Sequence, residues 1–354
     1  MKYAKQILLI IIITLSILTI SCSTELIESI TTDNSEYNQD NSEKFHFLDE
    51  KERDDETKAW HANINIAISN DGVSFTEQGL FVEHAGVANL IKTNDNKLMA
   101  FYQYFDPYNV DIFDKMAYQI SSDNGATWTD KEIVILEGFP TKPKLGGANP
   151  VDPTLVQLED DSFRLYFTYH AKGYDYAFFT GASSETIDGT FVYEGPFLVN
   201  EDAMMLDPAV VLFQDIWHHY TWSEETDDDG NNINIHSTSV DGITFTRQDD
   251  IHLAMNFLGQ AIEIEEKLYF YGTGMQSPIA VSSDGFEWEI FEEIGIPAAD
   301  PGIVELDDGT FLMVYTSMNI QTNQNNDNLD PLNQGIERME PGRNKDGSLK
   351  PPLE

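Results

Sequence analysis

The chain has 354 residues, of which 61 are acidic and 20 are Lys or Arg, giving a formal charge of −41. That balance excludes most nucleic-acid readings, because phosphate contacts need clustered Lys and Arg. It leaves room for a folded core, since 41% of the residues are hydrophobic and 12% aromatic, and a single cysteine excludes an internal disulfide framework.

Lys2 and Lys5 precede an apolar run from Ile7 to Ile20. The run is too short to cross a bilayer that needs about 20 residues, so it reads as the core of a signal peptide over residues 1–21. Leu18-Thr19-Ile20-Ser21-Cys22 resembles a bacterial lipobox. The resemblance implies cleavage before Cys22, lipidation of its sulfur and a lipid-anchored protein of the bacterial cell envelope, at the outer membrane or cell surface. Residues 22–57 are a polar tether with twelve acidic side chains, and 319–354 are an Asn/Gln-rich, Pro-ended tail. Neither holds enough apolar surface to offset its ordering entropy, so both are expected to be disordered.

Residues 58–318 carry one pattern five times. Each copy pairs an apolar strand with an aromatic-rich strand across an acidic turn. The copies open at Asn89-Leu90-Ile91, Asp152-Pro153-Thr154, Asp207-Pro208-Ala209, Gln260-Ala261-Ile262 and Asp300-Pro301-Gly302. Between them recur Asp-Gly turns with an aromatic soon after: Asp71-Gly72 with Phe75, Asp123-Asn124-Gly125 with Trp128, Asp188-Gly189 with Phe191, Asp241-Gly242 with Phe245, and Asp284-Gly285 with Trp288. These turns resemble Asp-boxes, which are structural and join the outer two strands of a propeller blade. The repeat begins with a turn half lacking its strand pair and ends with a strand pair lacking its turn. Joining the two predicts an all-β, five-bladed β-propeller whose N-terminal strands complete the last blade.

The repeated Asp-Pro openings and Tyr-rich second strands resemble the five-bladed superfamily of arabinanases, β-xylosidases, levansucrases and invertases, of the glycoside hydrolase family 43 type. Val151-Asp152-Pro153 with Leu158-Glu159-Asp160-Asp161 is most similar to that family's second-blade motif, which implies that Asp152 tunes an acid and orients substrate. The resemblance also marks two departures. Val87 stands where the first blade should present a general base, and Asp207 stands where the third blade should present an acid Glu. Glu194-Gly195-Pro196 spells the acid motif about a dozen residues early, on the expected outer strand of the second blade. His84 and Glu83, close to Val87, are the candidates to substitute for the missing base.

Propeller geometry puts the inner-strand openings and the loops between second and third strands on one face. The candidate catalytic residues there are Asp152, Asp207, Asp300 and His84. Candidate substrate contacts are Tyr104, Asn149, Tyr169, His170, Trp222 and Gln260, because aromatic faces cover sugar rings while polar groups bond hydroxyls. His218 and His219 alternate on a strand, so one is expected buried in packing and the other between blades, and Trp217 is expected in the core. No cofactor is required. A Ca²⁺ in the channel lacks a motif, since Asp227-Asp228-Asp229-Gly230 has no terminal Glu at calcium-loop spacing. A three-arginine sialidase site is excluded, because the repeat contains only Arg164 and Arg247. The expected partner is a neutral oligo- or polysaccharide, bound by a monomer, with no nucleic acid. The expected function is a glycoside hydrolase-like protein; a glycan-binding propeller without catalysis and an interaction scaffold are the alternatives.

Overall fold

The computed structural model describes residues 53–55, 58–139, 149–169, 178–186, 190–200, 204–227 and 232–318. Cys22, the polar flanks apart from residues 53–55, His170, Asp188-Gly189 and Asp228-Asp229-Gly230 lie outside these residues.

Strands β1 (Asn63–Ser69) and β2 (Thr76–Glu83) come first but belong to the last sheet. The first blade is β3 (Ala85–Lys92), β4 (Leu98–Phe105), β5 (Phe113–Ser121) and β6 (Glu132–Ile133). The second is β8 (Pro150–Gln157), β9 (Phe163–Tyr169), β10 (Phe178–Ser184) and β11 (Phe191–Val199), with the short β7 (Leu136–Glu137) parallel to its outer edge. The third runs β12 (Met205–Phe213), β13 (Ile216–Thr226), β14 (Asn232–Ser239) and β15 (Thr246–Arg247). The fourth runs β16 (Asn256–Ile264), β17 (Lys267–Thr273), β18 (Pro278–Ser282) and β19 (Glu289–Glu293). The fifth pairs β20 (Ala298–Glu305) and β21 (Phe311–Ser317) with β1 and β2, in the order β2-β1-β21-β20. Antiparallel pairing from Ile64↔Thr316 to Ser69↔Phe311 closes the ring. The all-β, five-bladed propeller expected from the repeat is therefore the observed architecture.

Burial explains the strand compositions. Second strands are covered on both sides by neighbouring blades, so β9 is buried at all seven positions and reads as Phe-Arg-Leu-Tyr-Phe-Thr-Tyr. Outer strands face water: β19 is exposed throughout and reads Glu-Ile-Phe-Glu-Glu.

The Asp-Gly turns join third to fourth strands. Asp284 Oδ1 accepts from the Phe286 and Glu287 N–H groups at 2.8 and 2.9 Å, while Ser282 Oγ accepts from Gly285 N at 2.8 Å. Asp71 and Asp241 repeat this arrangement with Ser69 and Ser239. These backbone bonds favour the ionised carboxyl and hold Asp71 far below the usual carboxylate range. Each turn also latches onto the preceding blade. Tyr166, Tyr220 and Tyr271 hydroxyls donate to the carbonyls of Gly242, Gly285 and Gly72 at 2.9, 2.8 and 2.9 Å.

Gly285 has φ +78°, and a Cβ there would lie 2.4 Å from His218 Cε1. Gly309 has nearly the same φ, +79°, with nothing within 4 Å. Gly285→Ala should therefore lower stability by roughly 3 kcal/mol from backbone strain plus overpacking, and Gly309→Ala by about 1 kcal/mol from strain alone. Urea unfolding of the two variants checks this, and equal losses would rule out the steric contact.

His218 and His219 both lie between blades, on opposite sides of β13. His219 stacks on Phe179 of the second blade, with ring centroids 3.8 Å apart. His218 Nδ1 is 3.0 Å from His236 Nε2 and faces Phe286 of the fourth blade.

Candidate functional site

The inner strands share one irregularity. Ladder register shifts between Gly86 and Asn89, Val151 and Thr154, Leu206 and Ala209, Asn256 and Gly259, and Ala299 and Gly302. At four of these bulges the first unpaired residue is left-handed: Val87 (φ 51°), Asp152 (φ 59°), Asp207 (φ 56°) and Asp300 (φ 47°). Asp is among the few non-glycine residues that tolerate this region, whereas a β-branched Val there is strained. The shared backbone confirms the matching of Val87 with Asp152.

These bulges surround a cavity of about 10 Å³ lined by Val87, Ala88, Asp152, Pro153, Thr154, Asp207, Pro208, Gly259 and Asp300. That is about the space one water needs. The three carboxylates are 7%, 4% and 3% exposed, in chain order. Asp152 Oδ2 accepts from the Asp207 N–H at 3.2 Å, and Thr273 Oγ1 accepts from the Asp300 N–H at 2.8 Å. Among the described residues, no group of three or more His, Cys, Asp or Glu is arranged to hold a metal ion.

The remaining candidates separate from this cavity. His84 does not line it; its Nδ1 is 2.6 Å from the Trp60 carbonyl oxygen. Expected on loops, Tyr104, Tyr169 and Trp222 instead lie within β4, β9 and β13. Tyr104 is 5% exposed and carries Lys131 Nζ over its ring at 3.7 Å, and Tyr169 packs against Phe178 with centroids 6.2 Å apart. Both rings are thus occupied within the protein. Trp222 Nε1 is buried with no hydrogen-bond partner among the described residues. Asn149 is buried and donates to Asp114 Oδ2 at 2.8 Å.

Gln260 corrects the expectation of a substrate contact. Its Oε1 accepts from Asn89 Nδ2, Leu90 N and Ile303 N at 3.1, 3.1 and 3.2 Å. Its Nε2 donates to the Leu90 and Ile303 carbonyls at 2.8 and 3.1 Å. An amide has two donors and two lone pairs, so nothing remains for a ligand. Asn89 extends the stitch, its Oδ1 accepting from Leu155 N at 2.9 Å. Two amides thus tie the inner strands of blades one, two, four and five together.

Glu194 lies on the outer strand β11, as expected, and pairs with Arg164 at 3.0 Å. Arg247 reaches Glu225 and Asp250 at 3.0 and 2.8 Å. Both arginines of the repeat are therefore spent in ion pairs.

No family model and no curated protein matches the chain. Solved structures do match it. A novel α-L-arabinofuranosidase of family 43 from Clostridium thermocellum superposes with TM-score 0.51 at 15% identity, over 75% of this chain and 92% of that one. A family-43 β-1,3-galactosidase solved with galactodeoxynojirimycin gives 0.50 at 12%, over 65% and 85%. A protein of unknown function from Dyadobacter fermentans gives 0.50 at 12%, over 72% and 84%. At such identities the likeness is one of backbone architecture, and it agrees with the blade count and closure described above. The chain has the five-bladed propeller fold found in glycoside hydrolases of family 43.

Proposed function

We propose that the chain is a lipid-anchored envelope protein, a monomer that acts as a glycoside hydrolase on a neutral glycan held over the Asp-lined mouth of its channel. One observation carries this reading: three carboxylates, from equivalent bulges of three blades, line one cavity. Glycoside hydrolysis needs two carboxyl groups flanking the scissile bond, one to protonate the leaving oxygen and one to activate water or attack the sugar. An anionic polysaccharide would be repelled by a chain of charge −41, which favours neutral sugars. The anchor rests on Cys22 at the end of the apolar run.

Val87 favours a second reading, a glycan-binding propeller that no longer hydrolyses, because an apolar residue occupies the fourth equivalent bulge. The full chain, assayed for reducing-end release on a panel of neutral polysaccharides, separates the two. Under the hydrolase reading, Asp152→Asn and Asp207→Asn should each lower release at least about 100-fold. Saturable binding of one glycan without release, weakened by the same substitutions, would establish the second reading instead.

A further inference from the structure

Blade one holds a carboxyl group that no motif announces. Asp114, at the start of β5, is left-handed with φ 55° and half-buried. Amides from two blades hold its two oxygens. Gln103 Nε2 donates to Oδ1 at 2.8 Å, and Asn149 Nδ2 donates to Oδ2 at 2.8 Å. Gln103 pairs with Gly86, the neighbour of Val87. Asn149 stands just ahead of β8, the strand that carries Asp152. Val87 and Asp152 both line the cavity. Asp114 is therefore tied, through one side chain on each flank, to residues beside the cavity at the seam of blades one and two.

A second observation points to a ligand. Gln103 is 2% exposed, yet its Oε1 has no hydrogen-bond partner among the described residues. A buried acceptor without a donor is destabilising, and a sugar hydroxyl is a donor of the right kind. The charged groups facing this seam are Lys115 on β5, whose Nζ is 3.5 Å from Asn149 Oδ1, and Asp111 before it. Burial raises the Asp114 carboxyl, against the pull of Asn149, Gln103 and Lys115 in the other direction. A carboxyl whose proton is held more tightly than usual is suited to general-acid work.

We propose that Asp114 is the general acid of the hydrolytic site, with Gln103 Oε1 accepting a hydroxyl of the sugar beside it. The proposal rests on the hydrolase reading above. The Asp114 O–H proton moves to the glycosidic oxygen as the bond from the anomeric carbon to that oxygen breaks. Water adds to the anomeric carbon and gives its proton to a second carboxylate, Asp152 or Asp207. One water is consumed, two hydroxyl groups form, and solvent returns the proton from that carboxylate to Asp114.

The test uses the full chain with aryl α-L-arabinofuranosides and β-galactosides, each carrying phenol or 2,4-dinitrophenol as leaving group. Dinitrophenolate departs without protonation, so only the phenyl substrates need the acid. Asp114→Asn should lower kcat on the phenyl glycosides by about 10²–10⁴-fold and on the dinitrophenyl glycosides by less than about tenfold. The alkaline limb of the kcat–pH profile should disappear with it. Equal losses on both leaving groups, or none, would overturn the acid while leaving hydrolysis intact. A wild-type chain inert on every glycoside and polysaccharide would overturn the hydrolase reading, and the role of Asp114 with it. If the variant does not fold, carboxyl ¹³C titration of the unsubstituted protein decides the matter: no Asp114 resonance moving above the ordinary aspartate range sinks the proposal.

Discussion

Gln260→Ala should nearly unfold the ring. The substitution strands the Leu90 and Ile303 N–H groups and Asn89 Nδ2 in a buried channel, together with two carbonyls. A buried donor without an acceptor costs about 1–3 kcal/mol, so the total is on the order of 3–6 kcal/mol even with partial relaxation. Whole-domain stabilities are only about 5–15 kcal/mol. The urea midpoint should collapse, and much of the protein should be insoluble on expression. Gln260→Glu, which keeps an acceptor and loses both donors, should fall between the two. An unchanged midpoint for Gln260→Ala would show that the channel amides are dispensable.

Acid should destabilise the protein well before its carboxylates titrate. His219 and His236 are buried, and loss of solvation pushes both down to about 3, while His218 falls to about 4. A folded value below the unfolded 6.5 means that protons bind preferentially to the unfolded chain. The stabilising contribution is therefore complete above the unfolded value and is lost as pH falls from about 6.5 towards about 3. Near pH 5 the unfolded chain carries nearly one more proton per histidine, so His219 and His236 alone give a slope of about 3 kcal/mol per pH unit. The lowered carboxylates, such as Asp284 and Glu225, act in the same direction but at lower pH. Urea midpoints at pH 7, 6 and 5 should drop steeply, and His219→Phe, which preserves the stack on Phe179, should flatten the slope. A midpoint constant from pH 7 to 5 would rule out neutral burial of these rings.

The ring and its closure were legible because they are written locally and repeated. Strand pairs and Asp-Gly turns each sit within a short window, and the repeat supplies the register and shows which half-blades at the two ends must join. The second-strand tyrosines carried a weaker signal. Tyr166, Tyr220 and Tyr271 mark buried strands by pattern, but their hydroxyl bonds to the next blade's turn depend on packing between strands 65 to 199 residues apart. Gln260 was misread for the same reason. A polar residue at an inner-strand opening suits a ligand as well as it suits a neighbouring strand, and its partner Leu90 is 170 residues away. Tyr104 and Tyr169 looked like sugar platforms because aromatic residues near strand ends serve either purpose. Asp114 left almost no trace, since Phe113-Asp114-Lys115 is an ordinary strand opening. Only Asn149 and Gln103, brought in from separate strands, make it unusual.

Closing the circle with β1 also has a kinetic and a mechanical side. Ser69 must wait for Phe311 before their pairing can form, a separation that spans the other four blades. During synthesis the β1–β2 pair emerges with one edge of β1 open, and the whole of blades one to four must be made before β21 covers it. Once paired, β1 bears any load that enters the barrel-like body through the residues preceding it. A pull from that side loads the β1–β21 ladder, and its failure would reopen the ring, so the strand that finishes assembly is also the one on which closure depends under tension.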